Sequence, residues 1–255
     1  MSAHILITGT SGAIGSALAR ALRSRHPAAS LTLLDVSEAA SQALAAEIGG
    51  KTQVIACDLA RSEAIPTALA QAQERFGAVH GLVNCAGFME VRRFDRLPWE
   101  RAEALLTVDL ISPLRLMHAT VPAMIEAKSG FVVNVSSMAG RVTLPGCAFY
   151  GAAKSGLAMA SEVARRELAE HGIRVVTVYP GAVASPLESR ARDQYGRGWL
   201  TRLAPTGRPE ILAAKIIEAI ETNQSRVIYP GAYALGWLST LASPIALRVG
   251  PSAVD

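Results

Sequence analysis

Cysteine is scarce in this chain. Only Cys57, Cys85 and Cys147 occur among 255 residues, and no two stand in a C-x-x-C spacing. That argues against a disulfide framework or a zinc site. The five histidines, at 4, 26, 80, 118 and 171, form no H-x-x-x-H pair, so no metal is expected. Aromatic residues are 5% and charged residues 18%. With 50% of residues hydrophobic, so low a charge excludes intrinsic disorder. Twenty-five basic against 21 acidic residues leave only +4, and that excess forms no patch. A nucleic-acid partner is therefore not expected. No positive stretch precedes the apolar run Ile5-Leu6-Ile7, so no signal peptide is expected and a reducing cytoplasm is the expected compartment.

What is there is small and apolar. Alanine alone contributes 45 residues, which suits closely packed helices. Short β-branched or apolar runs alternate with longer helical patterns. Strands are predicted at His4–Thr8, Leu31–Leu34, Gln53–Ala56, Gly81–Val83, Phe131–Val135, Val175–Val178 and Val227–Ile228. Helices are predicted at Ile14–Arg25, at Glu38–Ile48 with Ser37 as N-cap, and over 61–75, 98–127, 149–171 and 208–222. This alternation predicts an α/β fold, a doubly wound parallel sheet of about seven strands with helices on both faces. No linker or repeat divides the chain, so residues 1–255 read as one domain. Residues 181–207 have weak periodicity, and 185–207 reads as a substrate lid. Residues 227–255 form a last strand and an apolar tail, in which 227–247 carries no charge.

The first motif is Thr8-Gly9-Thr10-Ser11-Gly12-Ala13-Ile14-Gly15, between a predicted strand and a predicted helix. Glycines there permit a tight turn and let backbone approach a pyrophosphate at the helix N-terminus. Asp35 ends the second strand, twenty residues beyond Gly15. A carboxylate there accepts from both adenosine ribose hydroxyls and repels a 2′-phosphate. No Arg or Lys lies in the loop or directly after Asp35, so NAD is favoured over NADP.

The second motif is Tyr150-Gly-Ala-Ala-Lys154. Its ends share one helix face. A phenol titrates near 10, and a neighbouring ammonium lowers that value. Such a pair can exchange the hydroxyl proton of a carbinol.

Together these motifs resemble the short-chain dehydrogenase/reductase family, in its short form. The resemblance runs to about residue 230. It rests on the glycine loop 8–15, Asp58-Leu59, Asn84-Cys85-Ala86-Gly87, the N-V-S-S run 134–137, the 150–154 motif and Pro180-Gly181. The resemblance implies that Ser137, thirteen residues before the tyrosine, polarises the substrate oxygen. It makes Tyr150 the general acid/base, with Lys154 lowering its pKa and holding the nicotinamide ribose. It implies that Gly9, Ser11, Gly12, Ile14 and Gly15 hold the pyrophosphate and that Asp58 and Leu59 flank the adenine. Asn84, Ala86 and Gly87 would line the cleft, and Pro180, Gly181 and Val183 would border the nicotinamide. Cys85, beside the cofactor, reads as a small filler.

Two positions depart from the family pattern. Ser185 stands where a threonine is usual, and its hydroxyl could still meet the carboxamide. Asp109 stands where the fourth catalytic member is an asparagine, whose backbone carbonyl holds a water linking the lysine to solvent. Pro113 lies four residues after Asp109. It has no N–H to give the Asp109 carbonyl, so a backbone role survives the change. The added carboxylate is expected to favour charged Lys154 and alter the pH profile.

Phe88, Met138, Leu144, Cys147 and the 185–205 segment are expected to wall the substrate. None of those four side chains is charged, which favours an apolar secondary alcohol or ketone. Arg190, Arg192 and Arg197 either face the pocket or stay solvated. In the tail, Pro230 and Pro244 argue against a membrane span. It either covers the substrate mouth, joins an interface, or meets a membrane surface through Tyr233 and Trp237. The resemblance implies a homodimer or homotetramer through the 98–127 and 149–171 helices. The leading expectation is an NAD(H)-dependent oxidoreductase. A nucleotide-binding regulatory protein that has lost turnover, favoured only by Asp109, is the second.

Overall fold

The computed structural model describes residues 3–194 and 205–238. Its seven strands form one wholly parallel sheet in the order β3-β2-β1-β4-β5-β6-β7. They are β1 (His4–Thr8), β2 (Ser30–Asp35), β3 (Thr52–Ala56), β4 (Gly81–Asn84), β5 (Gly130–Val135), β6 (Ile173–Pro180) and β7 (Arg226–Tyr229). The helices are α1 (Ala13–Arg25), α2 (Glu38–Ile48), α3 (Ile65–Phe76), α4 (Trp99–Leu106), α5 (Ser112–Ala127), α6 (Ala148–Leu168), α7 (Pro186–Gln194) and α8 (Pro209–Thr222).

Strand alternation explains why both faces are covered. Along β1, Ile5 and Ile7 join the core under α1 and α8, while Leu6 joins the opposite core with Ile65, Leu69 and Leu116. Val133 and Val176 likewise face one way, Val132 and Val175 the other. Strands apolar on both faces need helices on both. Each fully buried Leu or Ile contributes about 1.5–3 kcal/mol before entropy is subtracted.

The predicted elements hold with shifted ends, and three differ in kind. The predicted 61–75 helix is a 3-10 turn, Ser62–Ala64, followed by α3. Pro66 at the head of α3 has a preset helical φ but cannot continue an earlier helix. The 98–127 helix is divided by a π turn, Thr107–Ile111, where the Ser112 N–H reaches the Thr107 carbonyl. The expected loop 181–207 contains α7, whose first turn is held by the Ser185 hydroxyl accepting from Glu188 N–H at 3.1 Å. Ser37 takes the N-cap position of α2 but makes no side-chain cap bond.

Among the described residues, Trp99–Ala127 is long and apolar enough to cross a membrane by length and composition alone. In this fold it packs on α6 and β5. The order reverses between β1 and β4, so the loops after these strands diverge and leave a crevice at the carboxyl edge.

Candidate active site

The crevice is a cavity of about 910 Å³. The glycine loop forms one wall. Gly9 has φ +74°, and a Cβ there would lie 2.6 Å from Ala86 N. A Cβ on Gly15 would lie 2.8 Å from the Gly9 carbonyl carbon. Only glycine fits either place. Thr8, the first residue of the glycine motif, ties this wall to the next one. Its hydroxyl accepts from Cys85 N–H at 3.1 Å and Ala86 N–H at 3.0 Å. Gly12 caps α1 without a side chain, so the first-turn N–H groups, with no carbonyl inside the helix to bind, face a cavity lined by Gly12, Ala13, Ile14 and Gly15. That donor set suits a phosphate group.

Asp35 is buried at the cavity edge. Its Oδ2 accepts from Ser11 N–H at 2.8 Å, and its Oδ1 from the Ser11 hydroxyl at 2.9 Å and Ser37 N–H at 2.8 Å. The glycine loop and the β2 end are thus fixed to one another through a carboxylate. Asp58 and Leu59 line the same end of the cavity, and Asp58 Oδ1 accepts from Ala60 N–H at 2.9 Å.

The chemistry-bearing side chains meet across β5 and the first turns of α6. Ser136 Oγ donates to the Lys154 carbonyl at 2.7 Å, anchoring α6 against the end of β5. Ser137 accepts from Ala139 N–H at 3.1 Å, and its hydroxyl lies close enough to Tyr150 to pull the phenol's pKa down. Lys154 Nζ lies 5.8 Å from the Tyr150 ring centroid and donates to the Val135 carbonyl at 3.1 Å.

Asp109, in the π turn, completes the cluster. Its Oδ1 is 2.7 Å from Lys154 Nζ, with the side chains 0% and 5% exposed respectively. Oδ1 has no hydrogen-bond partner besides this ion pair. Oδ2 accepts from Phe88 N–H at 3.2 Å. Gly87 leaves the room: a Cβ there would collide with Asp109 Oδ1 and sit 3.2 Å from Lys154 Nζ.

Electrostatics differ from the sequence expectation in one respect. Lys154 was expected to lower the Tyr150 pKa, and it does pull in that direction, as does Ser137. Burial and the Asp109 carboxylate outweigh both, so the phenol is held above its ordinary value. For Lys154, burial opposes charge, but Asp109 and Tyr150 prevail and raise it, as expected. Burial raises Asp109 against the pull of Lys154. Burial also pushes the Cys85 thiol up to about 12, which fits a filler and not a nucleophile.

The sequence-selected residues Gly9, Ser11, Gly12, Ile14, Gly15, Asp35, Asp58, Leu59, Ala86, Gly87, Asp109, Ser137, Tyr150, Lys154, Pro180, Gly181, Val183 and Ser185 all line this cavity. Asn84 does not. Its side chain lies between the sheet and α5, donating to Asn134 Oδ1 at 2.8 Å and the Pro113 carbonyl at 3.3 Å. Cys147 does not either; it is buried at the head of α6.

At the far end Phe88, Met138 and Leu144 are joined by Met89, Val142, Leu187 and Tyr233. The expected uncharged wall is incomplete, because Arg101, Arg192 and Glu188 also line the cavity. Each is ion-paired, Arg101 to Glu90 and Arg192 to Glu188. Arg190 is not in the lining, and Arg197 lies outside the described residues. Gly207, bridged to Val183, closes the base of the 185–207 segment. In the tail, residues 231–238 form a 3-10 turn and Tyr233 lines the cavity, so it is no outward membrane anchor. The Trp237 side chain and residues 239–247 lie outside what is described. Gly156, on the α6 helix expected to form an interface, packs on Leu110 of the same chain. Among the described residues no cluster could hold a metal ion.

Arg101, Tyr233 and Val36 were not foreseen as lining residues. Their spacing carries no motif, and only the pairing of strands brings them to one crevice.

Comparison with known proteins agrees with this geometry. Residues 3–196 match the family model described as short chain dehydrogenase. The chain is 30% identical over 241 residues to a D-threitol dehydrogenase of Mycolicibacterium smegmatis, covering 90% of this chain and 92% of the relative. It is 31% identical over 240 residues to a cyclohexanol dehydrogenase of an Acinetobacter species, covering 89% and 93%. Among solved structures, a metagenomic short-chain oxidoreductase in complex with NADP is similar at 30% identity with TM-score 0.73, covering 89% of this chain and 97% of that one.

Proposed function

The chain belongs to the short chain dehydrogenase family, and from that premise we propose that it interconverts a secondary alcohol and a ketone with NAD(H). It is an oxidoreductase acting on CH–OH groups. The observation that supports the reaction is the Ser137–Tyr150 hydroxyl pair beside the Lys154 cation, inside one cavity with a phosphate-suited helix terminus. In oxidation, Ser137 donates to the carbinol oxygen and the Tyr150 phenolate takes its proton. Lys154 stabilises the phenolate, and the proton passes on to solvent. The bound nicotinamide supplies the hydride acceptor, or in reduction the donor. Met138, Leu144 and Tyr233 exclude water from the reacting carbon.

NAD in place of NADP follows from Asp35, whose fixed carboxylate repels a 2′-phosphate, and from Val36 beside it, which offers that phosphate no cation. Asp58 and Leu59 would flank the adenine. The Ser185 hydroxyl accepts from Glu188 N–H and keeps its own proton for the carboxamide. The substrate is a small alcohol with an apolar body, whose polar end meets the ion-paired Arg101 and Arg192 in the cavity lining. One domain, a lid at 185–207, a cytoplasmic setting and a homo-oligomer complete the reading. The last is favoured by Met159 and Val163, exposed on α6.

The test is NADH formation against a panel of alcohols that includes cyclohexanol and a four-carbon polyol. Turnover is expected with at least one, and Tyr150→Phe is expected to lower kcat about 100- to 10,000-fold while NAD still binds. Nucleotide binding without turnover on any alcohol or ketone would favour the regulatory reading.

A further inference from the structure

The Asp109–Lys154 pair raises a question of charge that the proton chemistry does not answer. A carbinol held by Ser137 and Tyr150 must present its carbon to the hydride acceptor. A nicotinamide serving that carbon would sit in the same cavity as Tyr150 and Lys154, whose Nζ is 5.8 Å from the Tyr150 ring centroid. The nicotinamide ring is cationic in the oxidised nucleotide and neutral in the reduced one. A lone buried ammonium nearby would disfavour the oxidised form, because charges repel strongly where water is excluded. Here the ammonium is not alone. Asp109 Oδ1 is 2.7 Å away and both side chains are buried. With one proton between them, the pair sums to zero wherever that proton resides.

The other titratable groups facing this pair add no compensating charge. Tyr150 and Cys147 belong to α6 and its head, and Cys85 directly follows β4. Burial raises the Tyr150 phenol above its ordinary value, and burial pushes the Cys85 thiol up to about 12. The closest backbone contacts of the pair, the Val135 carbonyl on Lys154 and the Phe88 N–H on Asp109, carry no net charge.

We propose that Asp109 tunes the redox-state preference of the nucleotide site, cancelling the Lys154 charge so that the oxidised, cationic nicotinamide escapes a repulsion that the reduced, neutral one never meets. Asp109 is then a positioning residue that acts through Lys154. A site that does not repel the oxidised nucleotide is suited to alcohol oxidation. The inference rests on the nicotinamide reading above.

The test is the dissociation constants of NAD+ and NADH, measured by titration calorimetry without substrate, for the full chain and for Asp109→Asn. The ratio Kd(NAD+)/Kd(NADH) is expected to rise about tenfold in the variant, the effect of one uncompensated buried charge. Structural damage would weaken both nucleotides alike and leave the ratio unchanged; that result overturns the inference. Binding of neither nucleotide by the unaltered chain would instead overturn the oxidoreductase reading. Should Asp109→Asn not fold, Asp109→Ser removes the same charge in a smaller volume and carries the same expectation.

Discussion

The ring of Tyr233 occupies the space that a side chain on residue 181 would need: a Cβ on Gly181 would stand 2.5 Å from the ring's Cγ. The tail and the strand end after Pro180 are thus fitted to each other over the cavity. Gly181→Ala is expected to expel the ring, destabilise the fold by about 1–3 kcal/mol through overpacking, and raise substrate KM several-fold. Thermal melting and steady-state kinetics check both. Tyr233→Ala should raise KM with a smaller loss of stability.

The pH dependence follows from Tyr150. Burial is the largest influence and raises its pKa, and Asp109 adds to it. Alcohol oxidation needs the phenolate, so its rate should climb from neutral pH and level only in the alkaline range. Ketone reduction needs the phenol, so it should be flat through neutrality and fall only at alkaline pH. Asp109→Asn removes one raising influence and should move both limbs to lower pH. Initial rates in each direction across pH give the answer; an oxidation plateau already reached below neutrality would contradict it.

Asp35 has two separable duties. Its charge is proposed to select NAD, and its hydrogen bonds join the glycine loop to β2. Asp35→Asn keeps an acceptor but removes the charge. It should narrow the NAD over NADP preference in kcat/KM about tenfold while costing about 1–3 kcal/mol of stability. An unchanged preference would remove Asp35 from the selectivity argument.

Away from the site, Glu162 on α6 accepts from Tyr179 Oη at 2.5 Å, from Arg141 at 2.9 Å and from Arg226 at 2.6 Å. Burial raises this carboxyl's pKa, but Arg226, Tyr179 and Arg141 outweigh burial and hold it below the usual range. Its contribution to stability is present above the ordinary glutamate value and lost as pH falls through the lower folded one. Glu162→Gln should cost about 1–2 kcal/mol at neutral pH. The difference in Tm from the unaltered chain should shrink in acid.

Much of this was legible in the sequence because it is local. β1, the glycine loop and Tyr150 to Lys154 each announce themselves within eight residues. The strand alternation is equally local, which is why both cores could be anticipated. Asn84 misled because its motif lies beside the cleft while its side chain answers to Asn134 fifty residues away. The raised Tyr150 pKa was hidden for the same reason. An ammonium four residues off is visible in a helix pattern, whereas burial and a carboxylate from another helix are tertiary facts. α7 was missed because nothing periodic marks it; its start depends on the Ser185 cap.

The π turn at Thr107–Ile111 has one residue more per turn than the helices it joins. Each residue advances an α-helix by about 100°, so α4 and α5 meet out of phase, and Asp109 sits inside the adjustment. Deleting a single residue there would restore a regular helix and swing the carboxylate away from Lys154 even if every remaining side chain were kept. The charge balance of the site is therefore written in residue count as much as in residue type, and an alignment that lets a gap drift through 107–111 would misassign it.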